Sequence, residues 1–281
     1  MPTFIGIGSG KCGTTWIYQM LKDHPDIYSG HAKEINFFNS GYPYYDFGIE
    51  WYENHFKGAS GLCTGEFSVS YLYDLQAMER IIANYPKVKI LIAIRDPIDR
   101  AISDYYHDIR KGNITPKMEF IEYFEQTYNH ELGFYCKHID IVRKIFPIEN
   151  ILIIPYSFIA EMPELLVRRL YNFIGINDQF QSAKIYEKSN QGFMPRFVFL
   201  ENMLAKTSAY LTKIGCVNFL ECIKKFKVHE LVRKVNSKSM SKPRISLKAR
   251  EKLEKLYEKE IQFIKDLELN WSNWKNGKTD I

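Results

Sequence analysis

The chain is poor in cysteine, with five in 281 residues: Cys12, Cys63, Cys136, Cys216 and Cys222. The count is odd and no two form a C-x-x-C pair, so neither a disulfide framework nor a zinc site is encoded, and no metal is expected. No run of eighteen apolar residues occurs, which excludes a membrane-spanning helix of ordinary length. The first residues do not follow the charged-then-apolar order of a secretory signal, and a cytoplasmic location is the expectation. Repeats and low-complexity tracts are missing too, so solenoid and linker architectures drop out. Charge of one sign is scarce: 38 Lys and Arg against 33 Asp and Glu leave +5. That balance suits an anionic small ligand without demanding nucleic acid, and no nucleic-acid partner is expected. The 46% hydrophobic content is enough for one substantial core, and residues 1–281 are read as a single domain.

Strand-loop-helix units recur along the chain. Residues 4–7 form a short apolar run followed by a glycine-broken loop and an amphipathic stretch. Residues 87–94, KVKILIAI, read as a central parallel strand covered on both faces. Asp96 then caps a helix with Pro97 at its first position, and Ile98, Ala101, Ile102 and Tyr105 recur at helical spacing. A third run, residues 151–154, precedes a helix opened by Pro163 and closed by Gly175. Further helices are predicted at 48–56, 74–84, 117–127, 131–146, across a helical segment within 197–244, and at 246–268. The alternation implies an α/β fold with a P-loop-like central parallel sheet flanked by helices. Ligands of such sheets sit beyond the carboxyl ends of the strands, here the loops 8–15, 66–71, 95–103 and 155–158.

The first of these loops reads Gly8, Ser9, Gly10, Lys11, Cys12, Gly13, Thr14, Thr15, Trp16. Glycines at 8, 10 and 13 are expected to supply positive dihedrals and a close backbone approach, while Thr14 and Thr15 open a helix whose first amides and dipole favour an anion. Lys11 adds a full charge. In a nucleotide-triphosphate loop of the pattern G-x-x-x-x-G-K-S/T the lysine directly precedes the hydroxyl residue; here it precedes the last glycine. Taken alone, this loop is equally a plain turn joining strand to helix.

Four segments in order resemble the sulfotransferase family. Lys11 with Gly13, Thr14 and Thr15 is similar to its 5′-phosphosulfate loop. Arg95, Asp96, Pro97, Arg100 and Ser103 match the R-D-P-x-x-R-x-x-S pattern that holds the donor's 3′-phosphate. Lys33, Glu34, Phe37 and Phe38, followed by Gly48, Trp51 and Tyr52, resemble the K-E-x-x-F-F and G-L/I-x-W-Y segments of the carbohydrate branch, which includes heparan sulfate sulfotransferases. Gly65, Glu66, Ser68 and Tyr71 resemble the G-E-K-S/T-P-x-Y stretch, with Phe67 in place of a lysine. A later run, Lys188, Asn190, Pro195 and Arg196, is similar to an N-x-x-x-x-P-R loop of bacterial members. The resemblance spans residues 3–196 and resumes weakly over 245–274.

The resemblance implies transfer of a sulfuryl group from 3′-phosphoadenosine 5′-phosphosulfate (PAPS) to a hydroxyl of a sugar or glycoconjugate, leaving 3′-phosphoadenosine 5′-phosphate (PAP). Glu34 is implied as the general base that takes the acceptor's proton, with Lys11 and Lys33 assisting. Ser9, Gly10, Lys11, Cys12, Gly13, Thr14, Thr15 and Trp16 are implied at the phosphosulfate, Arg95 and Ser103 at the 3′-phosphate, and Lys188 and Arg196 closing over the donor. Asn36 stands where relatives often carry histidine, and with Phe67 uncharged the neutralising task falls to Lys11, Lys33 and the loop amides. Glu34 as a surface carboxylate paired with Lys33 or Lys11, and Arg95 as a salt-bridged surface arginine, are the plainer alternatives. The basic run through residues 224–244 reads either as a solvated face or as a peripheral contact with membrane or anionic glycan. The rival functions are a P-loop nucleotide kinase or triphosphatase, and a non-catalytic glycan-binding relative.

Overall fold

The computed structural model describes residues 1–28, 33–187, 194–195, 237–238 and 245–273. Lys188, Arg196, Trp274 and, apart from Ser237 and Lys238, the segment 197–244 lie outside them. Five strands, β1 (Phe4–Gly8), β2 (Ile27–Tyr28), β3 (Cys63–Phe67), β4 (Lys89–Ile94) and β5 (Ile151–Pro155), form one parallel sheet in the order β2-β3-β1-β4-β5. The helices are α1 (Thr14–Asp23), α2 (Ile49–Glu53), α3 (Leu75–Asn84), α4 (Pro97–Lys111), α5 (Phe120–Gln126), α6 (Tyr135–Ile145), α7 (Phe158–Glu161), α8 (Pro163–Ile174), α9 (Leu247–Leu256) and α10 (Glu258–Ser272).

The apolar run of β4 divides by the period of two that a pleated strand imposes. Ile90, Ile92 and Ile94 enter one core with Ile5, Ile7, Met78 and Ile81 of α3, and Ile139 and Val142 of α6. Leu91 and Ala93 enter the other with Phe4, Phe67, Trp16 and Ile17 of α1, and Leu166 and Leu170 of α8. Both faces of the sheet are therefore dry, as a parallel sheet requires. The helix signals hold where expected. Asp96 Oδ1 accepts from the N–H groups of Ile98 (3.0 Å) and Asp99 (2.9 Å), Pro163 opens α8, and Gly175 closes it at φ 85°. The single closing helix expected at 246–268 is instead two, α9 and α10, divided at Tyr257. That ring is fully buried, lies where a Cβ on Gly133 would come within 2.8 Å of it, and packs on Phe134 at 5.1 Å.

The chain groups into two compact units, residues 1–100, 131–189 and 253–281 in the first and residues 101–130 and 190–252 in the second. The first contains the parallel sheet. In the second, Tyr105 packs on Phe120 and Tyr123, its hydroxyl donating to the Met118 carbonyl at 2.6 Å, and Met194–Pro195 pairs antiparallel with Ser237–Lys238. Among the described residues no helix is long and apolar enough to cross a membrane.

Candidate active site

The loop after β1 turns at Lys11 (φ 67°) and Gly13 (φ 79°). Gly8 and Gly10, expected to share the positive dihedrals, do not have them. Gly8 is required by packing instead, since a Cβ there would sit 2.7 Å from Leu72. The Gly13 carbonyl accepts from the N–H groups of Trp16 (2.9 Å) and Ile17 (3.1 Å), which starts α1 and leaves its first amides directed past the helix end. Thr15 is exposed at this end and Thr14 buried. Ser9, Cys12 and Trp16 turn inward: the Ser9 hydroxyl meets that of Tyr73 at 2.5 Å, the Cys12 thiol lies 3.8 Å from the Tyr135 hydroxyl, and Trp16 is core. All three side chains are buried. Burial pushes the Cys12 thiol up, against the pull of the Arg100 guanidinium.

Arg95 follows the last residue of β4 and stacks its guanidinium over the Tyr156 ring at 4.4 Å. Its Nε is buried without a hydrogen-bond partner, and its ion pair with Asp99 is long at 3.5 Å. Tyr156, tied by its N–H to the Ile94 carbonyl at 2.8 Å, also borders the first loop: a Cβ on Gly13 would come within 3.1 Å of the Tyr156 ring and 2.2 Å of Ile159. The loop and Arg95 thus both border one aromatic ring. Tyr156 was not singled out by sequence; the signal available was its place in the loop after β5, at a strand's carboxyl end. The orphaned Nε and the amides opening α1 after Gly13 fit a doubly anionic ligand, with a charge-assisted partner for the guanidinium and an oxyanion at the helix end. Ser103, half-buried on α4, belongs to the second unit.

The Glu34 segment is held against the end of β3. The Glu34 N–H donates to the Phe67 carbonyl at 2.7 Å, and its Oε2 accepts from the Val69 N–H at 3.2 Å. Oε1 accepts from Lys33 Nζ at 2.7 Å. Glu34 (φ 66°) and Asn36 (φ 55°) are both left-handed, a conformation costing on the order of 1–3 kcal/mol outside glycine and found where surrounding structure enforces it, often at functional sites. The Glu34 carboxylate, with Lys33 on one oxygen, remains half-exposed, so it can take a proton from a bound hydroxyl. Phe67, in the position of the family's lysine, is fully buried. Its ring occupies the space that a Cβ on Gly6 would need, at 2.0 Å, so that side chain has no route to a ligand. Beside it in sequence, Glu66 is also fully buried, and burial lifts its carboxyl to about 7 against hydrogen bonds from Ser68 and Tyr71 that lower it.

The chain matches the sulfotransferase domain family over residues 2–265. Human heparan sulfate glucosamine 3-O-sulfotransferase 3B1 is 29% identical over 202 residues, 69% of this chain and 51% of the relative. The membrane-associated sulfotransferase kil1 of Dictyostelium discoideum is 36% identical over 126 residues, 43% of this chain and 26% of its own. The chain spans about half the length of the human relative. A solved sulfotransferase from Alicyclobacillus acidocaldarius superposes with a TM-score of 0.61 at 28% identity, covering 68% of this chain and 87% of its own. With a strand-loop-helix turn after β1, an arginine after β4, a lysine-glutamate segment beside β3 and a match over residues 2–265, the chain belongs to the sulfotransferase domain family.

Proposed function

We propose that this chain, acting as one catalytic domain, moves the sulfuryl group of PAPS to a hydroxyl of a carbohydrate acceptor of the heparan sulfate kind. The observation that carries the reading is the meeting of the Gly13 loop and Arg95 on Tyr156, which suits a ligand with separate anionic groups at its two ends. PAPS, when bound, supplies an activated sulfuryl group on a phosphate leaving group. Lys11 and the amides opening α1 stabilise negative charge there, and Arg95 anchors the 3′-phosphate. Glu34 accepts the acceptor's proton through the oxygen that Lys33 does not hold, while Lys33 fixes the carboxylate's orientation. Positioning and charge stabilisation then dominate the rate, as in other in-line group transfers. Membership of the sulfotransferase family does not favour a nucleotide kinase or triphosphatase.

Glu34→Gln tests the assignment of the base. PAP affinity by calorimetry is expected to stay within a few-fold of wild type while turnover of radiolabelled PAPS with heparan sulfate falls by about a hundredfold or more, the usual range for a positioned base. Wild-type turnover in the variant would remove Glu34 from the chemistry. Stabilisation by ATP with none by PAP in thermal unfolding would return the kinase reading.

A further inference from the structure

Glu66 takes no part in the chemistry above and is shut off from solvent, yet a family of hydrogen bonds runs from it to the strained segment that carries Glu34. The Ser68 hydroxyl donates to Glu66 Oε2 at 2.7 Å and accepts from the Asn36 N–H at 2.9 Å. The Tyr71 hydroxyl donates to Glu66 Oε1 at 3.0 Å and accepts from the Phe38 N–H at 3.3 Å. Each hydroxyl has one proton, so its backbone partner is accepted in a fixed direction only while both Glu66 oxygens act as acceptors. Asn36, the donor of the first of these bonds, has a left-handed backbone and stands two residues from Glu34, itself left-handed. Arg80 fastens the far end of the segment, its Nη1 donating to the Phe38 carbonyl at 2.9 Å.

We propose that Glu66 is a positioning residue for the transfer reaction: through Ser68 and Tyr71 its carboxylate fixes the backbone of residues 34–38 and thereby the place of the Glu34 carboxylate. This rests on Glu34 being the base. The charged and titratable groups around Glu66 are Tyr71 after β3, Tyr52 of α2, Tyr18 of α1 and the Glu34 carboxylate. All are phenols or an anion. Burial raises the Glu66 carboxyl to about 7, so the charge costs stability, and the carboxylate that both bonds require is the main form only above that pH.

The test is Glu66→Gln in the full chain, read in parallel with Glu34→Gln. The substitution keeps shape but replaces one acceptor by a donor, so the bond to Ser68 or to Tyr71 is lost. Amide hydrogen exchange over residues 34–38 is expected to quicken about tenfold, the worth of one charged hydrogen bond. At pH 8, turnover of PAPS with heparan sulfate is expected to lose about tenfold in kcat with KM for PAPS within twofold, and the unfolding midpoint is expected not to fall. A merely structural carboxylate would move kcat and the midpoint together, and that result overturns the proposal. So does unchanged exchange at 34–38, whatever the turnover. Full turnover in Glu34→Gln would sink the base assignment alone, leaving exchange to decide on Glu66. If Glu66→Gln does not fold, Ser68→Ala cuts the same link and is read by the same exchange.

Discussion

Arg95→Ala should weaken PAP binding while leaving the fold nearly untouched. In the free protein the guanidinium has little to lose. Its pair with Asp99 is 3.5 Å long and the Asp99 side chain is 48% exposed, a kind of contact worth between zero and about 1 kcal/mol. Its stack on Tyr156 adds roughly 0.5–1 kcal/mol. Against a bound 3′-phosphate the buried, unpartnered Nε and the rest of the fork gain charge-assisted hydrogen bonds of about 1.5–3 kcal/mol. A loss of about 2 kcal/mol is roughly a thirtyfold rise in Kd. Calorimetry with PAP and, beside it, adenosine 5′-phosphate separates the two ends of the ligand: the loss should appear with PAP and be nearly absent with the compound lacking a 3′-phosphate. Arg95→Lys should recover only part, since an ammonium keeps the charge without the planar fork. Equal losses on both ligands, or none on either, would refute the assignment of Arg95 to the 3′-phosphate.

Other expectations follow from the same geometry. Gly13→Ala forces a side chain onto a left-handed residue and into Ile159 at 2.2 Å. It should cost about 2–4 kcal/mol in chemical denaturation, from strain and overpacking together, and abolish measurable PAP binding; a fully stable variant that binds would refute this. Because the folded Glu66 carboxyl lies near 7 rather than at its ordinary 4.5, the native state holds that proton more tightly than the unfolded chain. Its contribution is therefore fully present at low pH and declines as pH rises from about 4.5 through 7, by on the order of 3 kcal/mol. Denaturation of wild type and Glu66→Gln at pH 5 and pH 8 should show the decline shrinking in the variant; identical slopes would count against it. Trp271, buried with its Nε1 donating to the Ile153 carbonyl at 3.0 Å, should cost about 3–5 kcal/mol when replaced by alanine, and a change below 1 kcal/mol would show that α10 is not anchored there.

The sequence was most legible where physical signals were local. The apolar runs of β1, β4 and β5, the Asp96 cap and the Pro163 and Gly175 ends of α8 all follow from the residues that form them. β3, Cys63–Phe67, is implied only by its following loop at 66–71 and not by its own pattern, because CTGEF has no run of branched or aromatic residues. Its place comes from pairing with β1, where Gly65 is required because a Cβ would meet the Phe4 carbonyl at 2.3 Å. Two-residue β2 exists only by its register with Cys63 and Thr64. Tyr257, at the break between α9 and α10, packs into space left by Gly133, far off in sequence, a contact that periodicity cannot report. At the site, motif spacing singles out Lys11, Glu34 and Arg95, while the stack of Arg95 on Tyr156 and the hydrogen bonds to Glu66 are packing that only the folded chain discloses.

Incubation of the full chain with radiolabelled PAPS and a panel of polysaccharides including heparan sulfate tests sulfuryl transfer itself. Label should pass into a glycan with one PAP released per sulfate transferred, and Glu34→Gln should suppress both. Release of label only as free sulfate, or no consumption of PAPS with any glycan by a chain that binds PAP, would contradict a carbohydrate sulfotransferase.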